Sequence, residues 1–246
     1  MRLGATLVHL CAAAPFPVAA WARRLVDAGF DSLWTPQILG RGSLVPDPFV
    51  VLAAAATATE DVELGTATVQ VPLHHPADLA HRVLSLAAVA GERLTLGVSP
   101  GSTAADYAAL DRDHRARFAT FTEHVDRLRV LLADGHDERA DLAPAPASVP
   151  PLLLGSWGAN VERAAREFDG WLASGYRSSV DDIVAAHGRF RSAGGRRAVV
   201  CAVPVDDDLG VTRDALQRYA EAGFDDAVVL FAPGGPDPAR VRSLVP

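Results

Sequence analysis

Two glycine-rich turns are the segments of this sequence whose residue types and spacing best fit ligand binding. Gly97-Val98-Ser99-Pro100-Gly101 and Gly155-Ser156-Trp157-Gly158 each end a short apolar run, and the second leads directly into a helix-like segment. Free backbone N–H groups and the helix dipole converge at such a turn, which suits a phosphate or another anion. A tight strand-to-helix turn with no ligand predicts the same glycines, so both interpretations stay open.

The ends of the predicted strands carry a second group of candidate functional residues. This group comprises His9, Gln37, Gln70, Ser99, Ser156 with Trp157, Ser174 and the stretch Pro204–Asp206. It contains no paired carboxylates for glycoside hydrolysis and no Ser-His-Asp set or G-x-S-x-G elbow. Many donors and few acids favour a large, anionic cofactor that performs the chemistry itself. His9, Gln37 and Gln70 are the candidate catalytic residues, by contact with substrate; a histidine that is only hydrogen-bonded at this end is an alternative for His9.

Composition removes several classes of function. All 23 basic residues are Arg, which excludes Schiff-base lysine enzymes, pyridoxal-phosphate enzymes and Walker-type phosphate loops. The net charge of −7 gives no support for nucleic acid or an anionic membrane as a partner. Cys11 and Cys201 lie far apart and no H-E-x-x-H occurs, so we expect no metal. With no membrane-spanning run and no cleavage signal, a cytoplasmic protein is expected.

The elements that must position these residues alternate regularly between helix and strand. Ala28-Gly29-Phe30-Asp31 and Ala222-Gly223-Phe224-Asp225 each end a helix-like run and precede an apolar strand. The 246 residues suit one (β/α)8 barrel, whose chemistry lies on the loops after its strands. We therefore predict an α/β fold with a single domain over 1–246. The predicted strands are Leu3–Leu10, Ser32–Gln37, Val62–Val71, Leu94–Val98, Leu152–Leu154, Gly170–Ala173, Ala198–Val203 and Ala227–Phe231.

These segments resemble the bacterial luciferase-like flavin and deazaflavin oxidoreductases, a family of monooxygenases and dehydrogenases. The resemblance is carried, in order, by the motifs LWTPQILG (33–40), LGTATV (64–69), HPADLA (75–80), GERLTLGV (91–98) and PLLLGSWG (151–158), followed by RAA (163–165) and FDGW (168–171). It is closest to an actinobacterial branch that uses coenzyme F420. The likeness covers about residues 25–175.

The resemblance implies a TIM barrel with F420, or alternatively FMN, across its mouth. It implies a ring resting against the end of the third strand, with a non-prolyl cis peptide within Thr68–Val71, and a phosphate on the loop Gly155–Ala159. The implied cofactor-binding residues are Thr68, Val69, Gln70, Ser99, Pro100, Gly101, Tyr107, Gly155, Ser156, Trp157, Gly158, Ala159, Ser174 and Gly175. The implied reaction is hydride transfer between the cofactor and a small organic substrate, or, with FMN, oxygen-dependent monooxygenation.

The sequence also departs from the family's pattern. Ile38 stands where deazaflavin dehydrogenases often carry a catalytic His, Asp106 replaces a longer acid, and the family's inserted lid is shortened or absent. These differences motivate an alternative, a degenerate member without flavin that acts as a binding or regulatory subunit. The Ala-rich helices near 47–59 and 76–90 are compatible with a homodimer.

Overall fold

Eight parallel strands form a closed barrel in the computed structural model, which describes residues 1–8, 16–42 and 44–245. The (β/α)8 prediction is confirmed. The strands are β1 (Arg2–Thr6), β2 (Ser32–Thr35), β3 in two segments (Glu63–Thr66 and Val69–Gln70), β4 (Leu94–Ser99), β5 (Leu152–Gly155), β6 (Gly170–Ser174), β7 (Arg197–Pro204) and β8 (Asp226–Leu230). Pairing of β1 with β8, Gly4 opposite Val228, closes the ring.

Helices surround the barrel and bury their apolar faces against the strands. They are α1 (Val18–Asp27), α2 (Pro48–Ala58), α3 (Pro76–Ala90), α4 (Ala104–Ala108), α5 (Arg117–Asp134), α6 (Asn160–Glu167), α7 (Val180–Ser192), α8 (Leu209–Glu221) and α9 (Pro238–Arg242). Short 3-10 turns cover Val71–Leu73 and Gly91–Arg93. The segment between α5 and β5 is a loop with an isolated bridge between His136 and Asp141.

The repeated Ala-Gly-Phe-Asp motif ends a helix and fixes the next strand. Gly29 and Gly223 have φ of +89° and +87°, a conformation that favours glycine just past a helix end. The Asp31 carboxylate accepts the backbone N–H of Leu3 at 2.8 Å, and that of Asp225 accepts the N–H of Ala198 at 2.7 Å. Both aspartates therefore tie the turn after a helix to the start of a neighbouring strand.

The third strand is interrupted, which corrects the prediction of one continuous strand over Val62–Val71. Gly65 lies opposite Thr95 and Val69 opposite Val98, so four steps along β3 match three along β4. The extra residue forms a bulge. The cis peptide bond joins Ala67 to Thr68, one residue before the predicted range Thr68–Val71.

A network of buried charges occupies the barrel end where the strands begin. The Arg197 guanidinium donates to both Glu63 oxygens at 2.9 and 3.0 Å and to Asp226 at 2.9 Å, and Arg2 contacts both acids from outside. Burial raises the pKa of Glu63, but its bonds to Arg197 and Thr95 hold that pKa below the ordinary value. Burial raises the pKa of Asp226 by more than Arg197 and Arg2 lower it.

The outer helices bear on two further expectations, the absence of a membrane-spanning segment and the homodimer. In the described ranges no helix is both long and apolar enough to cross a bilayer. Helices α2 and α3 pack side by side, and Val50 on α2 is 67% exposed and Val89 on α3 49%. The homodimer remains a prediction.

Candidate functional site

A cavity of about 630 Å³ lies at the end of the barrel where the strands finish. The last residue of seven strands contributes to its wall, and β7 contributes through a bulge at Cys201 and Ala202. These last residues are Thr6, Thr35, Gln70, Ser99, Gly155, Ser174 and Leu230. The cavity therefore draws on the whole strand ring, as active sites of this fold do.

The charged side chains of the cavity wall are positive. Arg41, Arg117 and Arg177 line it, and none of its described lining residues is Asp or Glu. Arg41 is neutralised from behind by the buried Asp106, at 2.8 and 2.5 Å. Arg117 and Arg177 have no acidic partner among the described residues. The wall thus favours an anionic ligand.

Arg117 lines the cavity and has no acidic partner among the described residues. Its Nη1 donates to the carbonyl of His114 at 2.9 Å, and its guanidinium lies 4.3 Å from the ring centre of Phe118. Its Nε is buried and has no hydrogen-bond partner in the described structure. Because this Nε is closed off from solvent, an anion in the cavity would be bound by the Nη groups of Arg117.

A continuous chain of hydrogen bonds joins three loops on one side of the cavity. The buried Gln70 donates from Nε2 to Asp106 at 2.8 Å and to the carbonyl of Gln37 at 3.3 Å. The Gln37 Oε1 accepts the backbone N–H of Gln70 at 2.8 Å, and its Nε2 lies 2.8 Å from Nε2 of His74. Burial, together with the charge of Arg82, lowers the pKa of His74 to about 4. Asp106 accepts hydrogen bonds from both Arg41 and Gln70, and it does not line the cavity.

Hydroxyl groups connect the end of β3 to the glycine turn after β4. Thr68 donates to Ser99 at 2.7 Å, and Ser99 accepts the backbone N–H of Gly101 at 3.2 Å. The Tyr107 hydroxyl donates to the carbonyl of Pro100 from behind this turn, and burial raises its pKa to about 12. The turn is thus fixed before any ligand arrives.

The second glycine turn, after β5, is held by the barrel and open toward solvent. The buried Trp171 donates its indole N–H to the carbonyl of Ser156 at 3.2 Å, while its ring packs on Phe190 and Phe224. Trp171 is therefore a packing residue that also holds this turn. A Cβ at Gly158 would meet nothing within 4 Å, and no side chain caps the start of α6. The backbone N–H groups of Asn160 and Val161 already donate to the carbonyls of Trp157 and Gly158, at 3.3 and 3.2 Å. An anion at this turn would therefore use the N–H groups that precede α6.

Three exposed aromatic side chains line the mouth. Trp157 is 45% exposed, Phe118 49% and Tyr176 61%; Trp157 and Tyr176 come from two loops and Phe118 from the first turn of α5. Aromatic faces at a cavity rim can pack against a planar ring. Deeper in the barrel, burial raises the pKa of the Cys201 thiol, and the Thr6 and Thr35 hydroxyls have no partner in the described structure.

The structure brings most of the predicted site residues to the cavity. Those that line it are Gln37, Thr68, Gln70, Ser99, Pro100, Gly101, Gly155, Ser156, Trp157 and Ser174. Five predicted residues do not: Val69 is buried in the core, Tyr107 lies behind Pro100, Gly175 packs on Val203, and Gly158 and Ala159 lie at the start of α6. Pro204–Asp206 also lies outside the lining, and His9 falls outside the described residues.

The sequence analysis did not identify Arg41, Arg117 and Arg177 as residues of the site. Arg117 binds the His114 carbonyl and lines the cavity from the first residue of α5, a position that no motif in the sequence marks. Nothing local distinguishes Arg41 or Arg177, which lie on loops that only the closed barrel brings together.

A model of the family described as luciferase-like monooxygenase matches residues 11–227. The 4-hydroxyprotoasukamycin monooxygenase of Streptomyces nodosus subsp. asukaensis is 32% identical over 152 residues, which are 56% of this chain and 40% of that protein. The chain thus matches less than half the length of this relative.

Solved structures share the fold at low sequence identity. An F420-dependent secondary alcohol dehydrogenase, solved with an F420-acetone adduct, aligns with a TM-score of 0.81 and 15% identity, covering 100% of this chain and 98% of that one. The oxygenating constituent of 3,6-diketocamphane monooxygenase of Pseudomonas putida, solved with FMN, aligns with a TM-score of 0.67 and 17% identity, covering 92% and 80%.

Proposed function

The chain belongs to the luciferase-like monooxygenase family, and from this we propose that it is an oxidoreductase that binds coenzyme F420, or alternatively FMN, in the strand-end cavity. The cofactor would exchange a hydride with a small organic substrate or, as FMN, support oxygen-dependent monooxygenation. The observation that carries the proposal is a cavity with arginines, glycine turns and no lining acid among its described residues.

The residues present fit such a cofactor on two counts. Arg117, which has no acidic partner among the described residues, and the glycine turn before α6 suit its phosphate. The aromatic rim and the apolar wall suit a planar ring. A Cβ on Gly155 would lie 2.5 Å from a Thr68 methyl group, so the packing of the wall itself requires glycine at this position.

The protein's contribution would be binding, orientation and exclusion of water. The Gly155–Trp157 turn and Arg117 would hold the anionic tail. Thr68, Ser99 and Gly101 form a fixed wall against which a ring could rest. Gln37 and Gln70 would contact the substrate and the adjoining edge of the cofactor ring, and their amides are already oriented by their hydrogen bonds.

The test is a fluorescence titration of the purified protein with F420, FMN and riboflavin. We expect micromolar binding of F420 or FMN, weaker binding of riboflavin, which lacks the phosphate, and weakening by salt. Arg117→Met should weaken F420 or FMN by roughly tenfold or more, since a charged hydrogen bond contributes about 1.5–3 kcal/mol, and should leave riboflavin unchanged.

Arg115→Met is the matched control, because it removes the same charge two residues away from an exposed side chain that does not line the cavity. It should bind every ligand as the unmodified protein does. Binding of neither F420 nor FMN would refute the proposed function.

That negative result would favour the second candidate, a family member that binds no flavin and acts as a binding or regulatory subunit. Two observations support this alternative. Ile38 lines the cavity where related dehydrogenases carry His, and Asp106 is sequestered by Arg41. Such a protein would purify colourless, and its melting temperature would respond to neither cofactor.

A further inference from the structure

The Gln37 side chain lies on the cavity wall with its amide orientation fixed by two neighbours. Its Oε1 lies 2.8 Å from the backbone nitrogen of Gln70, and a backbone N–H can only donate. The atom facing Gln70 must therefore be the oxygen, which leaves the NH₂ group toward His74, 2.8 Å from its Nε2.

This orientation determines the state of the His74 ring. An NH₂ group donates, so Nε2 of His74 must accept and must carry no hydrogen. His74 is then neutral with its proton on Nδ1. Its surroundings agree: burial and the charges of Arg82 and Arg112 lower the pKa of His74, while Asp78 and Asp47 raise it by less.

We propose that His74 is a positioning residue that fixes the Gln37 amide, so that the site offers a ligand an N–H donor at this point. Gln37 has two amide hydrogens, and only one has an acceptor among the described residues. The second hydrogen is left for a ligand acceptor, such as a carbonyl or carboxylate oxygen. His74 does not line the cavity and acts only through Gln37.

The neighbouring Gln70 amide strengthens this inference because its donors are already used. Both of its Nε2 hydrogens have acceptors, Asp106 at 2.8 Å and the carbonyl of Gln37 at 3.3 Å. Of the two amides on this side of the cavity, Gln37 alone retains a donor. The Gln37 N–H group selects ligands that carry a hydrogen-bond acceptor at this point. The inference rests on the proposed function and deepens it.

The first experiment needs no cofactor. Imidazole ¹⁵N–¹H correlation spectra of ¹⁵N-histidine-labelled protein report the tautomer and charge of each ring, and His74→Gln identifies the His74 signals. We expect a neutral ring protonated on Nδ1 between about pH 5 and 8, in agreement with its lowered pKa. A ring protonated on Nε2, or a cationic ring at pH 6, would overturn the proposal even if no flavin binds.

A variant of the amide gives a second spectroscopic test. In Gln37→Glu a carboxylate oxygen faces His74 in place of the NH₂ group, so Nε2 must now donate. We expect Nε2 of His74 to become protonated, in the neutral Nε2 tautomer or in the cation. An unchanged His74 spectrum would contradict the contact.

Ligand binding supplies the third test, in titrations with F420 and FMN. His74→Phe keeps a planar ring without the acceptor and should weaken whichever cofactor the unmodified protein binds by roughly fivefold to tenfold, as loss of one oriented hydrogen bond predicts. His74→Gln restores an acceptor and should bind within about twofold of the unmodified protein. Equal losses in both variants, or none in His74→Phe, would overturn the positioning role. Failure of the unmodified protein to bind would instead count against the proposed function.

Discussion

Removal of Arg197 tests how the barrel tolerates charge in its interior. Its guanidinium is the central group of the network at the strand-start end, with three hydrogen bonds of 2.9–3.0 Å to Glu63 and Asp226. The side chain of Asp226 is 1% exposed and that of Glu63 is 14% exposed. Arg197→Met keeps an unbranched side chain and leaves two buried carboxylates facing each other, with only the outer Arg2 to compensate them.

The cost follows from what the substitution leaves behind. Breaking a buried ion pair by removing one partner costs about 3–5 kcal/mol, because the remaining charge stays desolvated. Here two acids lose the same partner while Arg2, itself 45% exposed, retains a contact with each. We therefore expect Arg197→Met to lower the free energy of unfolding by about 3–5 kcal/mol near pH 7.5.

The loss should depend on pH with a definite sign. In the unmodified protein the Glu63 pKa is below its ordinary value, so its contribution is present above the unfolded pKa and is lost as pH falls. Without Arg197 both acids should have folded pKa values above their unfolded ones. Each then destabilises the fold as pH rises through the folded pKa. The difference in the free energy of unfolding between Arg197→Met and the unmodified protein should therefore grow from pH 4 to pH 8.

The assay is urea unfolding at pH 4 and pH 7.5, followed by circular dichroism and by tryptophan fluorescence, whose coincidence checks two-state behaviour. The matched control is Arg213→Met, since the pair with Asp214 is exposed, 58% and 70%, and contributes about 0.5 kcal/mol or less. Because Arg197 lies at the barrel end opposite the cavity, cofactor titrations should be unchanged. A loss below about 1 kcal/mol, or one equal at both pH values, would refute this reasoning.

Three other substitutions test packing, two of them beside the cavity and one in helix α7. Gly155→Val should abolish cofactor binding and cost about 1–3 kcal/mol in unfolding free energy, because even its Cβ would lie 2.5 Å from the Thr68 methyl group; retained binding in a titration would contradict this. Gly188→Ala, in α7 with open space around it, should instead stabilise the fold by about 0.5–1 kcal/mol in urea unfolding. Trp171→Phe removes the donor to the Ser156 carbonyl and should lower the free energy of unfolding by about 1–3 kcal/mol. Titration should also show weaker cofactor binding, and an unchanged affinity would show that this hydrogen bond does not support the site.

The sequence determined the fold because its signals are local and repeated. Apolar strands alternate with amphipathic helices, and the Gly-Phe-Asp sequence after α1 and α8 ends each helix and fixes the following strand. The same regularity predicted which end of the barrel carries the site, since parallel strands all finish at one end. The glycine turns after β4 and β5 were identified for this reason.

Tertiary structure decided the charges and the hydrogen-bond partners of that site. Arg41 and Arg177 come from two loops and Arg117 from the start of α5, and these segments meet only when the barrel closes. No local pattern predicts that Arg41 pairs with Asp106 across 65 residues. The break in β3 likewise depends on its register with β4. Local sequence sets backbone conformation and burial through periodicity, whereas the partner of a polar side chain depends on distances in space between segments remote in sequence.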